Sequence, residues 1–256
     1  MEGEGNLEYA LTRVYARHGQ RLDEAAWRRV EASRDLNHYM AAMRATALAP
    51  WVASMNAQQD CRALESSLRS QWRRHVDGVA RWHPREWQAW LAWLAYPPFL
   101  NLIAQLARPE AVPSWILADP VVGPFAPGTP ANRSAAMADT PLAPLAAAVA
   151  GQTTPRAAWS THWQALLPHA DGDTRRSLDL LRRAIEQHDQ GLLQAVDTAE
   201  PQRQKFALRL RLLMRIAAGT AIVTVCHLGL LALDLERLRS GLVRRCLFVR
   251  AEAEHA

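Results

Sequence analysis

The stretch from Phe206 to Leu233 reads FALRLRLLMRIAAGTAIVTVCHLGLLAL, and its apolar residues recur at the three- and four-residue spacing of a helix. Arg209, Arg211 and Arg215 open it, and Asp234, Glu236, Arg237 and Arg239 close it. The uncharged centre, Ile216 to Leu233, is about 18 residues long, at the lower edge of the about 17 to 25 that cross a bilayer. Length therefore does not separate a core helix from a membrane span. The residues at the centre do, because Gly219, Thr220, Thr224, Cys226, His227 and Gly229 lie there. An imidazole is expensive in lipid, whereas a protein core can give it a hydrogen-bond partner. The stretch predicts a buried core helix running unbroken from Gln202 to Leu233, with a single membrane span as the alternative.

Around this helix the chain has 256 residues, 49% of them apolar, enough to bury a sizeable core in one or two domains. The net charge of +5 comes almost wholly from arginine, since Lys205 is the sole lysine. Arginine and alanine are both abundant, as a GC-rich coding bias produces. Basic and acidic residues alternate in most helices, as Arg28 and Arg29 do with Glu24 and Glu31, so the basic balance points away from a nucleic-acid surface. Cys61, Cys226 and Cys246 are odd in number and have no CxxC spacing, which argues against a disulfide framework or zinc ribbon and for a reducing compartment. Met1 to Asn6 is acidic and polar, so no secretory signal is visible and a cytoplasmic location is expected.

Helical periodicity continues along most of the chain, with almost no alternating pattern. Helices are expected at Leu7 to Gly19, Asp23 to Glu31, Asp35 to Ala47, Asp60 to Trp82, Arg85 to Ala95 and Phe99 to Ala107. Asp23, Ser33 and Asp60 are candidate N-caps, Pro84 suits a first helical position, and Pro97-Pro98 must stop a helix. Nine of the fifteen prolines then fall between Pro109 and Pro155. That segment reads as a connector, its first half packed through Trp115, Ile116, Leu117 and Phe125, with Gly128 to Thr140 expected to be mobile. Helices resume at Ala157 to Leu167, Thr174 to Glu186, Gln190 to Val196, Gln202 to Leu233 and Leu235 to Val249. The expected fold class is all-α: a multi-helix bundle of two, at most three, helical lobes, residues 1–107 and 156–250, joined by the proline-rich connector 108–155.

No nucleophile elbow, phosphate-binding loop, dinucleotide fingerprint or HExxH motif occurs, so no catalytic residue and no cofactor is expected. Trp72, Trp87, Trp90 and Trp93, with Trp82, form an indole-rich region whose spacing suits a packed core or helix-docking surface. Beside Arg81 and Arg85 the same rings allow an RNA-binding module as an alternative. His83 with Glu86 resembles half of a di-metal carboxylate pair, but a second Glu-x-x-His is missing, so no metal is expected. Asp171-Gly172-Asp173 reads as a turn and N-cap, because Arg175 and Ser177 occupy the later positions of a calcium loop. Arg175, Arg176, Arg182 and Arg183, interleaved with Asp179 and Glu186, read as a solvated face.

Four pieces carry a resemblance of pattern. Tyr9 to Arg17, YALTRVYAR, places an early tyrosine and arginine, Tyr9 and Arg13, in the first long helix. Leu36 to Trp51, LNHYMAAMRATALAPW, keeps a threonine at Thr46 while Ala47 to Pro50 replace a tyrosine position. Cys61 to Leu68, CRALESSL, carries Glu65, and Gly229 to Leu242, GLLALDLERLRSGL, carries Arg239. Together they resemble the C/d family of V-type ATPase subunits over Leu7 to Leu106 and Arg203 to Val249. The middle departs from the family, whose members run longer as three helical bundles arranged as a funnel. The resemblance implies a non-catalytic, all-helical coupling or adaptor protein on the cytoplasmic face of a membrane rotor ring. Its implied partners are stalk or ring proteins, with peripheral contact to the membrane's inner face.

Overall fold

Gly219 divides the Phe206 to Leu233 stretch in two. Its φ of +85° is a left-handed conformation that costs a glycine little. One helix, Ala199–Ile216, ends just before it, and another, Ile222–Ala253, starts just after. The hydroxyl of Thr220 donates to the Ala217 carbonyl at 2.8 Å and accepts from the Ile222 amide at 3.3 Å, so the same turn ends one helix and caps the next. The two halves then fold back on each other. A Cβ placed on Gly229 would lie 2.9 Å from a methyl of Leu210, so glycine there lets the helices approach closely. The expected unbroken helix from Gln202 to Leu233 is therefore an αα-hairpin, because a periodic apolar pattern continues across a reversal that one glycine makes.

The computed structural model describes residues 6–194 and 199–253. Met1–Gly5, which hold most of the acidic start, lie outside the described residues. In chain order the helices are α1 Leu7–Gly19, α2 Glu24–Glu31, α3 Leu36–Arg44, α4 Ala49–Val52, α5 Cys61–Ala80, α6 Arg85–Ala92 and α7 Leu100–Leu106. They continue as α8 Ser114–Leu117, α9 Pro130–Met137, α10 Ala146–Val149, α11 Pro155–Ala165, α12 Gly172–Gln194, α13 Ala199–Ile216 and α14 Ile222–Ala253. No strand occurs among the described residues, and the chain is an all-α bundle.

Local chemistry sets most boundaries. Asp23 and Asp60 accept from the amides of Ala26 and Ala63, both at 2.7 Å, and begin α2 and α5. The cap of α3 is Asp35, bonded to the His38 amide at 2.9 Å, rather than Ser33. Pro84 occupies the cap position of α6 with an extended ψ of 149°, one residue before its expected place. Pro97 and Pro98 turn the end of the expected Arg85 to Ala95 helix into short 3-10 turns. The two helices expected over Thr174 to Val196 are a single α12 as far as Gln194, and Val196 lies outside the described residues.

The helix expected to begin at Leu235 is the second half of α14, which is 32 residues long. The change from apolar to charged sequence at Asp234 is a change of neighbour and not an end of helix. Asp234 is held by Arg21, in the turn after α1, at 2.7 and 2.8 Å, and Arg237 reaches Glu24 and Glu31 of α2 at 2.6 to 2.9 Å. Arg245, 3% exposed, donates to the carbonyls of Glu31, Ser33 and Gly241 at 2.7 to 2.9 Å and lies over the Tyr39 ring. α14 packs against α1, α3, α5, α12 and α13, and so forms the axis of the bundle.

The proline-rich segment is built into the same core. One apolar cluster runs from Leu11 through Ile116, Met137 and Leu145 to Leu242, so the expected divisions at 107/108 and 155/156 do not divide the core. Gly128 to Thr140, expected to be mobile, contains α9 and the buried Met137. The reason is Arg133, 4% exposed, which donates to the carbonyls of Ala126, Leu106 and Arg108 at 2.8 to 3.0 Å and pins α9 to the end of α7. Asp119 does the same nearer α5, accepting from Arg69 and from the amides of Val121 and Val122.

Candidate docking face

The indole-rich region faces inward. Trp90, 1% exposed, stacks on Trp163 of α11 with ring centres 5.0 Å apart, and Trp163 stacks on Trp159 at 5.5 Å. Trp87 is half-buried and meets Trp90 edge to face. Trp72 donates to the Leu94 carbonyl at 2.9 Å, and Trp93 donates to the carbonyl of Trp159 at 3.0 Å. These indoles bury large apolar areas while each donor of Trp72 and Trp93 finds a carbonyl. Trp159 and Trp163, the partners across the proline-rich segment, carry no local signal that ties them to α6.

Tyr9 and Arg13 stand on the outer side of α1, with Tyr9 52% exposed and its hydroxyl bonded to Arg13. The guanidinium groups of Arg13 and Arg17 both lie 4.4 Å from the Trp82 ring, which occupies that indole within the chain. Arg239 is ion-paired with Glu65 of α5, its Nε 2.6 Å from the carboxylate. Two residues 174 apart in sequence, each singled out by pattern, thus join α14 to α5.

His83 is fully buried. Its Nδ1 donates to the Val79 carbonyl at 3.1 Å, which leaves Nε2 to accept from the Thr224 hydroxyl at 2.9 Å. It therefore ties the end of α5 to α14, and Glu86 faces solvent. Asp171 caps α12 through the Thr174 amide at 2.7 Å. Among the described residues no three His, Cys, Asp or Glu side chains lie where they could hold one metal ion. No helix of the described residues is long and apolar enough to cross a membrane, and Ile222 to Leu231 of α14 is enclosed by protein apart from partial exposure at Gly229.

The surface that stands out is on α13. Leu210, Leu213, Met214 and Ala217 turn inward, and the opposite side exposes Leu208, Leu212 and Ile216 by 61%, 56% and 54%. Their spacing of four makes a single ridge along the helix, the row that packs into the groove of a neighbouring helix. Lys205, Arg209, Arg211 and Arg215 are all exposed beside it, so the flanks of the ridge are uniformly basic. Tyr15 of α1 borders the ridge, 42% exposed, with its hydroxyl 3.3 Å from the Met214 carbonyl. Partial burial, then the neighbouring Cys226, raises the Tyr15 phenol above its ordinary pKa, so it stays a neutral donor. The arginines of this face were visible in sequence; the ridge was not, because inward and outward apolar residues of α13 look alike there.

The chain matches no protein-family model, no curated protein and no solved structure.

Proposed function

We propose that this chain is a non-catalytic helical adaptor that couples soluble and membrane parts of a V-type ATPase or related membrane complex. It engages an acidic helix of a partner protein through the outer face of α13. The observation that carries this reading is the Leu208, Leu212 and Ile216 ridge flanked by four cations and no carboxylate between Lys205 and Ile216. Burying each of these side chains contributes about 1.5 to 3 kcal/mol, and complementary charge speeds and orients the encounter. The helical bundle behind the face suits a coupling element, since Arg21, Arg237, Arg239 and Arg245 fasten α14 to its neighbours. The pattern shared with the C/d family of V-type ATPases supports stalk or ring proteins of a rotary ATPase as the partners and the cytoplasmic face as the place.

An anionic membrane surface would also attract these cations, but the ridge is one side chain wide and contains no aromatic residue. Interfacial helices present a broad apolar face with Trp, Phe or Leu. A partner helix therefore fits the ridge better than a leaflet.

The test is capture of the purified chain by reconstituted rotary-ATPase stalk and ring components. Binding is expected, weakening with added salt, and Leu212→Asp is expected to abolish it while leaving the thermal unfolding of the chain unchanged. Failure of the parent chain to bind, or equal binding by the variant, overturns the proposal.

A further inference from the structure

A second feature shares no lining residue with α13. A cleft of about 630 Å³ opens between α1, the Ala47 to Ser54 segment, α5 and α14. That volume is within the usual range for a small-molecule site, about 300 to 1,000 Å³. Its walls carry Arg17, Arg21, Arg74, His75, His227 and Asp234. Asp234 is the sole carboxylate among the lining residues, and Arg21 already engages both its oxygens. Arg17 and Arg74 are thus left as two cations that no carboxylate of the cleft neutralises.

The histidines give the second observation. His227 is 2% exposed, and neither of its ring nitrogens has a hydrogen-bond partner among the described residues. The Nε2 of His75 and the Nδ1 of His18, next to it in space, are also unpartnered, with the His18 ring 6.0 Å from that of His227. Buried polar groups are nearly always bonded, because one left bare has given up its hydrogen bonds to water with nothing in return. His83, at 0% exposure in the same bundle, shows the ordinary outcome with both nitrogens satisfied. Three of these bare nitrogens, both of His227 and the Nε2 of His75, belong to residues that line the cleft.

We propose that this cleft binds a small oxyanion-bearing molecule, with Arg17 and Arg74 holding its phosphate or carboxylate group and His227 and His75 hydrogen-bonding its polar remainder. Burial keeps both imidazoles neutral at physiological pH, so each offers one donor and one acceptor while the arginines supply the charge. Two uncompensated guanidiniums suit an oxyanion, and neutral imidazoles suit hydroxyl or amide groups attached to it.

The test uses the full chain with histidine ring nitrogens labelled for NMR, titrated at neutral pH with inorganic pyrophosphate and, separately, with succinate. Saturable shifts of the His227 and His75 ring nitrogens are expected with at least one probe. Response to pyrophosphate alone assigns a phosphate ligand, and response to succinate alone a carboxylate. Arg74→Gln is at an exposed position and should leave the fold intact while weakening that binding about tenfold. No saturable shift with either probe overturns the proposal, as does equal binding by Arg74→Gln and by the Arg17→Gln, Arg74→Gln double variant. Ring nitrogens that respond to neither probe but exchange with solvent water would show hydration alone and overturn it as well.

Discussion

Trp93 and Trp159 exchange hydrogen bonds: the indole Nε1 of each donates to the backbone carbonyl of the other, at 3.0 and 3.1 Å. The pair clamps the end of α6 to α11 across 66 residues of sequence that include the whole proline-rich segment. Because the two bonds share one geometry, loss of either ring should loosen the other. Trp93→Phe and Trp159→Phe should each destabilise by about 1 kcal/mol, the net worth of one hydrogen bond. The double variant should cost less than the sum, and a double-mutant cycle by denaturant unfolding measures the difference. A strictly additive cycle would show that the two bonds form independently.

Trp90 tests the stack itself. It is 1% exposed and lies between Trp87 and Trp163, so Trp90→Ala removes a buried ring with contacts on both α6 and α11. The expected loss is about 3 to 5 kcal/mol, as for large aromatic truncations in cores. Unfolding free energy reads it directly, and a variant as stable as the parent would remove Trp90 from the core.

Two glycines separate conformational from steric need. Gly219 has φ +85° with open space where a Cβ would sit, so Gly219→Ala should cost about 1 to 2 kcal/mol through backbone strain alone. Gly241 is helical, but a Cβ there would overlap the Tyr39 hydroxyl, which is itself buried beneath Arg245. Gly241→Ala should cost about 1 to 3 kcal/mol by overpacking. Adding Tyr39→Phe should recover part of the Gly241→Ala loss and none of the Gly219→Ala loss, which thermal melts of the four variants would show.

Features set by a few adjacent residues were legible in the sequence: the caps at Asp23, Asp60 and Asp171, the stop at Pro97-Pro98 and the all-α class. Features set by distant partners were not. The charges at Asp234 to Arg239 read as a helix end because Arg21, Glu24, Glu31 and Glu65, which they meet, are remote in sequence. Gly219 read as one more helical residue because periodicity is blind to a reversal that keeps the apolar side inward. The proline-rich segment read as a connector because the apolar surface and the Arg133 bonds that anchor it appear only in three dimensions. Of the docking face the cations were visible and the ridge was not. His227 was visible as a residue needing a partner, but its unpartnered nitrogens and the arginines near it were not.

The buried histidines make stability depend on pH in a defined direction. Burial pushes His227 down to about 3, with His18, His75, Arg21 and Arg17 adding to the effect, and pushes His75 down to about 4, with Arg17 adding to it. In the unfolded chain both protonate near the ordinary value of about 6.5. Between these limits the unfolded state binds protons that the folded state refuses, so stability is full above about pH 6.5 and falls as pH drops towards 4 and then 3. His18, His83, His162 and His188 are lowered too and act in the same direction, whereas exposed His38 is raised by Asp35 and acts oppositely. Well inside the window each fully buried histidine contributes a slope of about 1.4 kcal/mol per pH unit. Denaturant unfolding between pH 6.5 and 5, where most carboxylates have not begun to protonate, should therefore give a free energy that decreases with proton uptake of more than one. An oxyanion bound in the cleft beside Arg17 would favour protonated imidazoles, so pyrophosphate or succinate, whichever binds, should flatten that slope. A profile flat from the start would mean that water already reaches His75 and His227.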